Sequence, residues 1–351
     1  MSSPLAGFRV GYAPYSSALT LPGDRRRFAF YAERRGVGYE IADPDREYDL
    51  VVLSERADIL TWSRRPLGTR IVYDLIDAYL SLPRRSIANR LRGVARFLGG
   101  ELRRPTLDYH SAVEAMCRRA DAVVCSTPEQ RTQISEHCAN VHVVLDAHGA
   151  DVRMRKTDYG LRTGFDVVWE GLPYTLDQLA IALPALRELA SSVPVTLHVV
   201  TDPATYRLAG RWLPRSTESL VRRLFAPAIF HRWDRSTLSA VVTACDVAII
   251  PLRMADPFAA GKPENKLLLL WGMGMPVVAS ATPAYRRAMD EAGVATYCRD
   301  DAEWAHWLSV MWRDRAMREE TGRRGQVYVE REHTDEHLLA RWDRVFASVL
   351  R

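Results

Sequence analysis

The chain alternates short, continuously apolar runs with longer amphipathic stretches, and this alternation organises the whole sequence. In the first part, runs rich in β-branched residues lie at 8–12, 49–53, 70–74, 122–126 and 141–145. Strands buried on both faces of a parallel sheet read this way, without polar alternation. Between them the spacing predicts helices over 24–35, over 111–119 and over the basic stretch 84–104. The pattern then restarts. Strands are predicted at 166–169, 197–201, 228–230, 246–251 and 276–280, with a tight turn at 171–173 and a helix over 176–191. Residues 150–162 are polar, lack apolar periodicity and mark a boundary. From about 334 to 351 the chain reads as one amphipathic helix, with Leu338, Leu339, Trp342, Phe346 and Val349 on one face. The expected class is α/β: two doubly wound parallel sheets in succession, each with a carboxyl edge where ligands bind.

Composition narrows this picture. A length of 351 residues suits two domains, each able to bury a core. The net charge of +5 suits anionic ligands such as nucleotides, or an acidic membrane face, and is too small to argue for nucleic acid. Cys117, Cys125, Cys138, Cys245 and Cys298 are scattered and odd in number, without C-x-x-C spacing. A reducing compartment is expected, with no disulfide framework and no metal site. Residues 1–15 carry no secretory signal pattern, and the longest apolar run, 267–279, is broken by Gly272, Gly274 and Pro276 and too short to span a bilayer. The expected location is the cytoplasm, free or at the inner face of the membrane. Lysine occurs only at Lys156, Lys262 and Lys266, and two of these share one short stretch.

The segments "ACDVAIIPL" (244–252), "GKPENKLLLLWGMGMPVVAS" (261–280) and "TPAY" (282–285) resemble, in order and spacing, the C-terminal domain of GT-B glycosyltransferases over 233–342. "RRADAVVCSTPEQ" (118–130), "DAHGAD" (146–151) and "YDLIDAYL" (73–80) resemble the first domain more loosely. The resemblance implies two Rossmann-like domains facing across a cleft. An acceptor-side domain would span 1–152 and a nucleotide-sugar donor domain 153–333, with a helix at 334–351 crossing back to the first. It also implies transfer of a hexose-type sugar from a nucleoside diphosphate to a glycan or lipid-linked glycan in cell-surface polysaccharide assembly, without a metal or other cofactor. Retaining members usually carry two glutamates where this chain has Gly261 and Leu269, so the retaining mechanism is not carried over.

A nucleotide-sugar donor needs compensation for its diphosphate and a partner for its ribose. Lys262 and Lys266 flank Glu264 and Asn265 in a loop opening onto a helix, where free N–H groups favour phosphate. This makes the lysines candidate diphosphate ligands, Glu264 a candidate ribose acceptor and Asn265 either part of the site or a plain helix cap. Arg253, at a strand end, and Gly171 and Thr175, around the first turn of the second domain, are further donor-side candidates. Gly171 reads equally as a turn residue and Thr175 as a cap. An inverting transfer needs a general base on the first domain. Asp24, Asp77 and His148 are the candidates, with cap, turn and inter-domain polar residue as their alternatives.

The stretch 83–105 combines arginines with Ile87, Leu91, Val94, Ala95 and Leu98 at helical spacing. It reads either as a solvated helix packed by its apolar stripe or as a helix resting on an anionic membrane or a lipid-pyrophosphate acceptor. Two other classes compete with the transferase. A nucleotide-sugar 2-epimerase would need paired carboxylates and histidines facing the donor. A non-catalytic scaffold partnering an active transferase would explain the missing glutamates, though retention of "KPENK" speaks against it.

Overall fold

The computed structural model describes residues 3–66, 68–84, 86–206 and 214–350. Arg85 and Arg351, which fall in the predicted basic and terminal helices, lie outside the described residues. The chain forms two compact units. The first comprises Met1–Ala147, Gly261–Pro263 and Asp335–Arg351, and the second His148–Ala260 and Glu264–Thr334. The division falls after Ala147 rather than after residue 152, and the "GKPENK" loop is split by it.

In the first unit, β1 (Val10–Ala13), β2 (Glu40–Ile41), β3 (Leu50–Ser54), β4 (Arg70–Asp74), β5 (Ala122–Cys125) and β6 (Val141–Val143) form one parallel sheet in the order β2-β1-β3-β4-β5-β6. The central strands β3 and β5 are buried at every position, as their unbroken apolar runs require. The terminal helix Asp335–Val349 buries the predicted face: Leu338, Leu339, Trp342, Phe346 and Val349 all enter the core with Phe28 and Tyr31. One expected helix, 24–35, is two: Pro22–Arg26 and Phe28–Arg35. Arg27 between them leaves helical geometry (φ −125°, ψ −123°), and its guanidinium is wholly buried against Asp74 and Asp146.

In the second unit, β7 (Phe165–Glu170), β8 (Val195–Thr201), β11 (Ala228–Arg232), β12 (Val247–Ile250), β13 (Val277–Ser280) and β14 (Tyr297–Cys298) form a parallel sheet in the order β11-β8-β7-β12-β13-β14. The numbering leaves room for the short antiparallel pair β9 (Ala204–Tyr206) and β10 (Pro214–Ser216). The expected helix 176–191 is a 3₁₀ segment, Pro173–Ile181, followed by an α-helix, Leu183–Ala190, because Pro184 has no N–H to donate and is tolerated only in a helix's first turn. Strands β2 and β14, of two residues each, went unpredicted, as did the short pair β9 and β10. Two residues are too few to show periodicity.

Candidate functional site

Open parallel sheets bind ligands beyond the carboxyl ends of their strands, at the point where the strand order reverses. In the second unit that point lies between β7 and β12. Several residues singled out from the sequence converge there. Lys266 Nζ donates to the Glu170 carbonyl at 2.7 Å, lies 3.8 Å from the Glu170 carboxylate and sits 5.2 Å from the centre of the Trp169 ring. Gly171 follows immediately. A Cβ at this position would stand 2.5 Å from the Trp169 ring and 2.7 Å from Lys266 Nζ, so only glycine leaves both in place. Arg253, three residues beyond β12, is half-exposed; its amide donates to Gln178 Oε1 (2.7 Å) and its guanidinium lies 3.2 Å from Asp177. Helix Asn265–Gly272 starts at Asn265, with Glu264 at the N-cap position. Glu264 is buried, and its carboxylate stands 3.8 Å from Arg287.

Two expectations for this unit need correction. The Thr175 hydroxyl donates to the Leu172 carbonyl at 2.8 Å inside the 3₁₀ segment, and Leu172, not Thr175, occupies the N-cap position. Thr175 therefore stabilises its own turn. His148 begins the second unit rather than belonging to the first, and its imidazole is buried while its carbonyl accepts from the amides of Asp151 and Val152.

In the first unit the strand order reverses between β1 and β3. Asp24, beyond β1, is fully buried. It accepts from Tyr12 Oη (3.1 Å), the Tyr15 amide (2.8 Å) and Ser16 Oγ (2.8 Å), so both its oxygens are committed. It fixes the loop after β1 from within the helix Pro22–Arg26, whose N-cap position belongs to Leu21, so the cap alternative does not hold. Beside it, Arg27 donates to Asp74 from Nε (2.8 Å) and to the Val144 carbonyl (2.9 Å) and Asp146 (3.1 Å) from Nη1. Tyr15 Oη donates to Asp74 at 3.1 Å and ties the two clusters together.

Asp77, beyond β4, has a partner that the sequence reading passed over. Its amide donates to Glu55 Oε2 at 2.9 Å, and Glu55 is the residue directly after β3. Tyr79 Oη reaches Glu55 Oε1 at 3.4 Å and accepts from Arg96 Nη2 at 2.8 Å, while Arg96 Nη1 donates to the Glu55 carbonyl at 2.8 Å. Burial, reinforced by the charge of Asp77 and opposed by Arg96, pushes the Glu55 carboxyl up to about 8. Burial also raises Asp77, against the pull of Lys262 first and then Arg92, Arg96 and Arg56. Glu55 therefore retains its proton near neutrality. Lys262, grouped with the first unit, thus bears on this pair. Glu55 was detectable from sequence: it follows the apolar run 49–53 by two residues, much as Asp77 follows the run 70–74 by three.

No family model matches the sequence, and no curated protein matches it significantly. Solved structures do. Sucrose-phosphate synthase from Thermosynechococcus elongatus matches at TM-score 0.61 and 15% identity, over 92% of this chain and 76% of that one. Anabaena HepE, in complex with UDP and glucose, matches at TM-score 0.61 and 14% identity, over 98% of this chain and 99% of that one. A mutant of S. aureus TarM in complex with fondaparinux, α-GlcNAc-glycerol and UDP matches at TM-score 0.57 and 8% identity, over 85% of this chain and 55% of that one. The chain spans about half of TarM. These likenesses, with the two six-stranded parallel sheets, show an α/β two-domain GT-B fold.

Proposed function

We propose that this chain is a glycosyltransferase that moves a sugar from a nucleoside-diphosphate sugar to a hydroxyl of a glycan or lipid-linked glycan, in cell-surface polysaccharide assembly. The observation that carries the reading is the convergence of Lys266, Gly171 and the start of helix Asn265–Gly272 at the strand-order reversal of the second unit. An ammonium group and helical N–H groups beside a side-chain-free turn together suit a diphosphate. Uridine diphosphate is the first nucleotide to try, since the HepE and TarM structures above were solved with it.

In this reading the reaction inverts configuration and needs no metal. The acceptor O–H gives its proton to a general base, the role for which Asp77 of the first unit is the candidate, while its oxygen bonds to the anomeric carbon. The bond from that carbon to the phosphate oxygen breaks, and its electron pair leaves on the nucleoside diphosphate. Lys266 and the helix N–H groups stabilise the charge that develops there. Glu55, hydrogen-bonded to the Asp77 amide and charged only when its own proton leaves, sets the basicity of Asp77.

The test is thermal unfolding of the purified protein with UDP, GDP, CDP, ADP or dTDP, alongside Lys266→Met. One nucleotide should stabilise the wild type and lose its effect in the variant. No stabilisation by any nucleotide at millimolar concentration would refute the reading and bring the scaffold alternative forward.

A further inference from the structure

The helix Ile87–Leu98 is amphipathic in an inverted sense. Ile87, Leu91 and Leu98 are 73%, 63% and 64% exposed, and Ala95 is exposed with them. At offsets of four, eight and eleven from Ile87 these residues share one face. The opposite face is polar or small and points inward. Asn89 is fully buried, Gly93 lies against the Thr106 carbonyl where a Cβ would not fit, and Arg96 is held by Glu55, Tyr79 and Glu101. Arg92 stacks over the Tyr79 ring, 4.7 Å from its centre. The apolar stripe that would normally pack a helix onto its domain is therefore the side left facing water, and Leu107 beyond the helix extends it at 69% exposure.

Charge decides what covers it. Residues 83–105 hold seven arginines and one acidic residue, Glu101. Arg84, Arg90, Arg103 and Arg104 are exposed around the stripe. A second copy of this chain would bring the same cationic rim against itself and be repelled. An anionic bilayer surface takes both parts at once, the stripe into the acyl boundary and the guanidinium groups onto phosphate headgroups. Among the described residues no helix is long and apolar enough to cross a membrane.

We propose that the Ile87–Leu98 helix docks the first unit on an anionic membrane surface and that its inner face, through Arg92 and Arg96, holds the Glu55–Asp77 pair under the docked helix. The carboxylates then lie about one helix diameter, roughly 10 Å, below the lipid interface. That is within reach of the headgroup of a membrane-borne acceptor, and the acceptor in the reading above becomes a lipid-linked one. The site's role rests on that reading, whereas the docking does not.

The test is co-sedimentation of the full chain with vesicles of phosphatidylglycerol and phosphatidylcholine in equal parts, and with pure phosphatidylcholine. The triple variant Ile87→Ser, Leu91→Ser, Leu98→Ser is compared with the wild type. Wild type should pellet with the anionic vesicles only, more weakly at high salt, and the variant's affinity should fall at least about tenfold. The substituted side chains are solvent-facing, so the variant should unfold at the wild-type temperature and keep any nucleotide-induced shift. A wild type that stays in the supernatant, or a variant that binds as well as the wild type, overturns the proposal. So does a wild-type dimer that becomes monomeric in the variant, which would assign the stripe to a second copy. Vesicle binding lost while the nucleotide shift remains in both proteins would leave the transferase reading standing. Vesicle binding without any nucleotide shift would do the reverse.

Discussion

Glu55→Gln separates the electrostatics of the carboxylate pair from its shape. The glutamine side chain is isosteric, its carbonyl can still accept from the Asp77 amide, and it mimics the protonated acid. Glu55 is buried, at 8% exposure, and its carboxyl is raised to about 8, against an ordinary glutamate near 4.5. The folded state therefore holds a proton that the unfolded chain releases earlier. The stability tied to this group is fully present below about pH 4.5, falls as pH rises, and is lost above about pH 8. At roughly 1.4 kcal/mol per pH unit, the full swing is of order 5 kcal/mol. Wild type and Glu55→Gln should be about equally stable at pH 5. The variant should be the more stable by a few kcal/mol at pH 9, with most of the difference appearing between pH 5 and 8. Urea unfolding of both proteins at each pH unit from 5 to 9 gives the difference directly. A difference that stays flat with pH would show that Glu55 is not a buried proton holder and would remove it from the Asp77 site.

Three further outcomes follow from the geometry. Lys266→Met gives up one hydrogen bond to the Glu170 carbonyl and should cost about 1 kcal/mol of stability, yet weaken binding of the preferred nucleotide by about 10- to 100-fold in titration calorimetry. Gly171→Ala forces a methyl group into the Trp169 ring and Lys266 Nζ. It should destabilise the protein by about 1–3 kcal/mol in denaturant unfolding and reduce nucleotide binding with it. Arg27→Ala strands Asp74 and Asp146 in the interior and should cost about 3–5 kcal/mol, visible as a fall in the urea midpoint without change of slope.

The sequence alone determined the class of fold and the order of its principal strands. Runs such as 50–54, 122–125 and 247–250 are apolar throughout because both faces of a parallel strand are covered, and a local pattern reports that directly. The terminal helix was legible for the same reason: Leu338, Trp342 and Phe346 recur at helical spacing. Lys266 and Gly171, both candidates from the sequence, meet at the end of β7, where the lysine donates to the Glu170 carbonyl. Tertiary structure decided the rest. Asp24 and Glu55 are both acids that follow a strand in the chain, and nothing local says that one spends its oxygens on Tyr12, Tyr15 and Ser16 while the other meets Asp77. Arg27 breaks a helix only because carboxylates 47 and 119 residues away in sequence receive its guanidinium. The periodicity of 87–98 foretold an apolar stripe but not its direction. Which face of a helix is buried depends on what the rest of the chain places beneath it, and here that is Glu55 and Tyr79, which call for arginine rather than leucine.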